Sequence, residues 1–297
     1  MKPREVREHR IDLGNGAQLF CHEWPGEGPT LILLHPSGGY GFMWEWVAEA
    51  LGDRYHIYAP DQRGHGRSSR PDGDYSADEY AADLAVFMDR LGIGKAVVVG
   101  HSLGGRAAQA FAGNHPDRAQ ALVLVGGPHA SNFRGTRESA QAILENAYSI
   151  LSHAQRFDTR EELVAFMQIT HPTALDPEAG REHRLTHNYV QQADGSIMPR
   201  YDALRVAQGL IHQTVNLRPH AGRVICPVLI LRGAQSRALS REQAEEMARC
   251  WKDARVVDVE GRYTLQFEDP VGTANAITAF LDEIDVRCSD SNRARMA

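Results

Sequence analysis

The chain has 297 residues, enough for one large domain that carries an insertion. Its 42% apolar and 24% charged content is that of an ordinary globular protein, and a net charge of −6 without a basic run argues against a nucleic-acid surface. No apolar stretch approaches the roughly 20 residues of a membrane helix, and the charged N-terminus lacks the apolar core of a secretory signal.

A cytoplasmic location and no membrane partner are therefore expected. Cys21, Cys226, Cys250 and Cys288 are scattered, as expected of free thiols in a reducing compartment.

In chain order, residues 7–13 and 17–24 alternate weakly around Asn15-Gly16, a pair that favours a tight hairpin turn. Thr30-Leu-Ile-Leu-Leu-His35 is a continuous apolar run, as in a strand covered on both faces. The runs 56–61, 96–100, 121–125 and 227–232 repeat that pattern. Ser76-Ala-Asp-Glu79 reads as a capping box opening a helix to about Leu91. Strands alternating with helices predict parallel pairing through crossover connections.

The alternation stops between about Pro128 and Gly222. Helical segments are expected near 136–156, over 159–170 behind a second capping box at Thr159, and as an amphipathic piece near 178–192. The expected division is a core of residues 1–127 and 223–286, a helical cap over 128–222, and a frayed polar tail over 287–297.

Gly100-His-Ser-Leu-Gly104 follows a strand and precedes a helix, the context in which a G-x-S-x-G turn exposes a nucleophilic serine. Ser102 is the candidate nucleophile. The glycine-rich loop His35-Pro-Ser-Gly-Gly39 can present the Ser37 N–H, and the helix start the Leu103 N–H, to a developing oxyanion. Asp61-Gln-Arg-Gly-His-Gly-Arg-Ser68 reads as a loop fixed by its own side chains, with a catalytic His65 the weaker alternative. His183 and His187 share a helix face but complete no metal motif, so neither a metal nor a cofactor is expected.

These motifs, with the Pro227-Val-Leu-Ile strand and the closing Glu268-Asp-Pro270, occur in an order that resembles the α/β-hydrolase superfamily. The resemblance is to its capped branch of epoxide hydrolases, haloperoxidase-like esterases and carbon–carbon bond hydrolases, and it covers about residues 10–283. It implies a mostly parallel eight-stranded sheet with helices on both faces and a helical cap. It also implies a small, mostly apolar substrate, by default an ester or similar acyl compound.

The chain departs from that family at two points. The family's acid is expected three or four positions after Gly233, where Ser236 and Arg237 stand. Its histidine is expected at Tyr263 or Thr264, and residues 221–297 contain no histidine. Three resolutions follow. Tyr263 replaces the imidazole, its phenol lowered by a cation such as Arg237 or Arg262. Alternatively, a cap histidine reaches in. In the third, the chemistry needs no such base, as in a lyase or a non-catalytic ligand-binding protein. The leading expectation is an enzyme using Ser102 with Tyr263 and acting on a small-molecule substrate.

Overall fold

A computed structural model describes residues 4–14, 16–127, 145, 156–170, 177–212 and 215–296. The first hairpin pairs β1 (Arg7–Asp12) with β2 (Gln18–Trp24), and Gly16 sits in its turn at φ +80°. The apolar runs follow as β3 (Thr30–Leu34), β4 (His56–Pro60), β5 (Ala96–His101) and β6 (Ala119–Val125). After a small hairpin of β7 (Tyr189–Gln191) and β8 (Ile197–Pro199) come β9 (Val228–Gly233) and β10 (Ala254–Val259).

Eight of these strands form one sheet in the order β1-β2-β4-β3-β5-β6-β9-β10. Only the β1–β2 and β2–β4 pairings are antiparallel. The five others are parallel, as continuous apolar runs separated by helices require.

Successive side chains of a strand point to opposite faces, and the core divides accordingly. Ile32 and Leu34 of β3 pack with α2 (Ala77–Arg90), α3 (Leu103–Asn114) and α8 (Arg241–Ala248). Leu31 and Leu33 face α1 (Glu45–Leu51) and α10 (Pro270–Met296) on the other side. Ser76 caps α2 by accepting from the Glu79 N–H at 3.3 Å. The helix α10 continues through the stretch whose polar composition suggests a frayed tail.

Between β6 and β9 lie α4 (Arg160–Thr170), α5 (Glu178–His187), α6 (Ala203–His212) and the short α7 (Arg218–Ala221). Thr159 caps α4, accepting from the Glu162 N–H at 3.2 Å. The β7–β8 hairpin is a departure from the all-helical reading of this stretch. Ala193-Asp-Gly-Ser196 turns the chain back on itself: Gly195 takes φ +89°, and Asp194 accepts from the Ser196 N–H and hydroxyl. The helix expected near 136–156 lies almost wholly outside the described residues, as do His129 and His171.

Candidate active site

Ser102 has φ 50° and ψ −111°, and among the described residues no other non-glycine has positive φ. Holding a serine there costs on the order of 1–3 kcal/mol, so the surrounding contacts must enforce it. The flanking glycines show how. A Cβ on Gly100 would lie 2.2 Å from the Gly104 carbonyl oxygen, and one on Gly104 would lie 2.4 Å from the Leu34 carbonyl oxygen. Only glycines let β5 turn this sharply and let α3 lie this close to β3. The Ser102 N–H donates to the Val125 carbonyl at 3.2 Å, which ties the turn to β6.

Leu103 is the first residue of α3, where a backbone N–H has no partner within its helix. Among the described residues neither the Leu103 nor the Ser37 N–H has a protein acceptor. The loop carrying Ser37 is fixed from beneath by two neutral imidazoles. His65 Nε2 accepts from the Gly38 N–H at 3.0 Å, while its Nδ1 meets the Arg63 carbonyl at 2.9 Å. His35 Nε2 accepts from the Gln62 N–H at 2.9 Å, and the Gln62 amide donates to the His35 carbonyl at 2.7 Å. Burial holds His35 well below the usual imidazole range and lowers His65 to about 4, so both remain acceptors at neutral pH.

The rest of the 61–68 loop is structural, as expected. Asp61 accepts from the Gly41 N–H at 2.6 Å and the Arg67 N–H at 2.7 Å, and burial pushes its carboxyl up to about 6. Arg63 pairs with Asp83 and Glu79.

Tyr263 lies beside the elbow. Its hydroxyl is near enough to Ser102 for that side chain to act on the phenol, which puts Tyr263 rather than Thr264 next to the serine. Glu268 fixes that segment. Its carboxylate accepts from the backbone N–H groups of Arg262, Tyr263 and Thr264, and from the Thr264 hydroxyl at 2.9 Å. The Tyr263 ring packs edge-on against His101, with centroids 4.7 Å apart, and His101 Nδ1 accepts from the Gln266 amide at 3.0 Å.

One expected feature is corrected. Arg237 does not tune Tyr263: it is exposed on the loop after β9, and neither it nor Arg262 figures among the groups acting on the phenol. Burial raises the phenol above its ordinary value, and the nearby Ser102 side chain, which pulls the other way, does not offset it. Tyr263 is thus a neutral phenol at pH 7, and the cation–phenolate pair expected from the sequence is absent. Ser236 caps its own turn, accepting from the Ala238 and Leu239 N–H groups at 3.2 Å.

The described histidines between β6 and β9 are engaged elsewhere. His183 Nδ1 meets the Tyr40 hydroxyl at 2.7 Å and its Nε2 the Glu45 carboxylate at 3.0 Å, with the His187 ring 4.5 Å away. Among the described residues no cluster of three or more His, Cys, Asp or Glu converges to hold a metal. Phe42 lines an open cavity of about 380 Å³ together with His22, Tyr40, Asp61, His187 and Arg200. Trp44 instead fills the core and Met167 a small apolar cluster with Leu163 and Leu185, and Trp46 packs edge-on against Phe267.

Sequence reasoning missed the residues that act through others: Glu268, Gln62, His35 and Asn188, whose amide donates to the Gly38 carbonyl at 2.8 Å. A histidine at the end of one buried strand, facing another in the next strand's loop, was the available signal for the first lock. Nothing local marks Asn188.

Known proteins carry the same framework. The chain is 30% identical over 274 residues to the 2-(acetamidomethylene)succinate hydrolase of Mesorhizobium japonicum, covering 92% of this chain and 94% of that protein. It is 32% identical over 219 residues to the pimeloyl-[acyl-carrier protein] methyl ester esterase of Chromobacterium violaceum, covering 71% and 77%. Among solved structures, E-2-(acetamidomethylene)succinate hydrolase superposes with a TM-score of 0.81 at 28% identity, over 94% of this chain and all of that one. An esterase of M. tuberculosis superposes with a TM-score of 0.74 at 25% identity, over 93% and 92%. The family pattern described as the alpha/beta hydrolase fold matches residues 29–270, and the chain belongs to that family.

Proposed function

We propose that the protein hydrolyses an ester or a similar acyl bond of a small organic substrate through Ser102, with Tyr263 in the place of the usual imidazole. The observation that carries this reading is a tyrosine packed on His101 beside Ser102, a serine held on a strained elbow. A retired site has no reason to keep that strain, because a glycine there would relieve it.

A neutral phenol is a poor base, yet it can relay a proton without becoming charged. Ser102 Oγ attacks the acyl carbon and its proton passes to the Tyr263 oxygen, while the phenol's own proton passes to the leaving oxygen. The carbonyl oxygen gains charge and takes hydrogen bonds from the Ser37 and Leu103 N–H groups. Water then reverses the sequence: it attacks the acyl-enzyme, gives a proton to Tyr263, and Tyr263 returns one to Ser102. No phenolate forms at any stage, which agrees with the raised phenol. Such a relay lacks the imidazolium of a Ser–His pair, so turnover should be slow and best on substrates with good leaving groups.

The relatives named above are hydrolases and esterases, which leaves a lyase reading without support. A non-catalytic ligand-binding role is the second reading, favoured by the missing acid and imidazole at 236, 237 and 263.

The test is hydrolysis of short p-nitrophenyl esters together with labelling by a fluorophosphonate. The expected result is turnover, and a label on Ser102, both lost in Ser102→Ala. Turnover equal in Ser102→Ala, or no label and no turnover, contradicts the hydrolase reading and leaves the binding one.

A further inference from the structure

Four arginines are buried among the described residues, and three have acceptors. Arg63 pairs with Asp83, Arg232 pairs with Asp258, and Arg106 donates to the His212 and Val215 carbonyls. Arg184, on α5, has none. It is 7% exposed, its Nε is sealed from solvent without a partner, and no group among the described residues accepts from it. Its guanidinium carbon lies 6.0 Å from the centroid of the Phe267 ring, at the limit of a cation–π interaction. A buried, unpaired cation is among the costliest features a fold can carry, and the usual reason to keep one is an anion that arrives from outside.

The position of Arg184 says which anion. Its charge is felt by the phenols of Tyr40, Tyr189 and Tyr201. The Tyr201 ring edge lies 3.9 Å from where a Cβ on Gly38 would stand, so this cluster packs against the Ser37–Gly38 loop. Phe267, on the other side, belongs to α9 (Leu265–Glu268), the turn that follows Tyr263. Arg184 is therefore bracketed by the two segments that flank Ser102. Two more buried polar atoms without partners lie beside the same glycine: the Ser37 hydroxyl oxygen, and Oδ1 of Asn188, whose amide holds the Gly38 carbonyl.

We propose that Arg184 forms a carboxylate subsite, so that the substrate carries an acid group within a few bonds of the scissile acyl carbon. The planar guanidinium offers a carboxylate two parallel N–H donors, and pairing there removes the penalty of the lone charge. The substrate class narrows from a mostly apolar ester to an acid-bearing one, such as a half-ester or half-amide of a short dicarboxylic acid. This proposal rests on the hydrolase reading for the word substrate, but its binding component stands apart from it.

The experiment has two arms. In the first, succinate, glutarate and adipate are titrated calorimetrically into the wild-type protein, Arg184→Gln and Arg184→Lys, with butanamide as the neutral control. The expected result is binding of at least one dicarboxylate, weakened about 10–100-fold in Arg184→Gln and less in Arg184→Lys, as loss of a buried charge-assisted pair implies. In the second, kcat/KM for the mono-p-nitrophenyl ester of the best diacid is divided by that for the neutral p-nitrophenyl ester of equal length. That ratio should exceed 1 in the wild type and fall about 10–100-fold in Arg184→Gln. Arg184→Gln should also melt at a higher temperature than the wild type, because an unpaired buried charge has gone. Equal dicarboxylate affinity in the wild type and Arg184→Gln, or a lower melting temperature with unchanged affinity, overturns the subsite. Arg184-dependent binding without turnover of any ester retires the hydrolase reading and leaves the subsite standing.

Discussion

At the scale of single residues, strain and hydrogen bonding make opposing demands on position 102. Ser102→Gly should raise stability by about 1 kcal/mol, because glycine adopts positive φ without strain, and should abolish Ser102-dependent turnover. Thermal melts paired with esterase assays check both halves. Glu268 is a positioning residue for Tyr263: three backbone N–H groups and a hydroxyl converge on its largely buried carboxylate. Glu268→Gln turns one acceptor into a donor facing N–H groups and should cost about 2 kcal/mol of stability while lowering kcat more than it raises KM. Denaturant titration and steady-state kinetics read these separately. The sequence shows Ser102 plainly, because strand, glycine, serine, glycine and helix admit little else. It leaves Tyr263 and Thr264 open, since the choice turns on a three-dimensional register that Glu268 sets.

At the scale of elements, the loop after β3 is held by side chains of the loop after β4. This lock has a pH signature. An unfolded imidazole titrates near 6.5, whereas His65 in the fold titrates near 4, so between those values the unfolded chain binds the extra proton. The contribution is complete above pH 6.5 and is lost as pH falls toward 4, a drop of roughly 3 kcal/mol for this fully buried group. His65→Gln should therefore flatten the stability curve between pH 6.5 and 4, as urea midpoints across that window will show. An unchanged slope would assign the acid sensitivity to other groups. The strands of the sheet are legible from their apolar runs, and α2 and α4 from their capping residues. The β7–β8 hairpin is not, because its strands are three residues long and its turn residues equally suit the end of a helix.

For the whole molecule, the decisive relation is between the stretch that joins β6 to β9 and the loops at the sheet, and it is the least legible from sequence. Asn188 joins that stretch to the Gly38 carbonyl, and His183 joins it to Tyr40 and Glu45, with up to 150 residues between partners. Neither pairing has a local pattern. Asn188→Ala should leave the fold intact at a cost of about 1 kcal/mol and raise KM, because the roof over the Ser37 loop loosens. Kinetics with short esters will show whether kcat is spared. The same relation explains why an apolar substrate is the natural expectation from sequence while Arg184 points to an acidic one. An arginine in an exposed-looking, highly charged helix gives no sign that the fold buries it.

The pairing of Ser102 with Tyr263 is tested most directly by rapid mixing with p-nitrophenyl acetate, following the first turnover in the wild type and in Tyr263→Phe. The expected result is one equivalent of p-nitrophenolate released per chain in the wild type, with acylation slowed about 100-fold when the phenolic hydroxyl is removed, as loss of a proton-transfer partner implies. Equal acylation rates in the two proteins would contradict it.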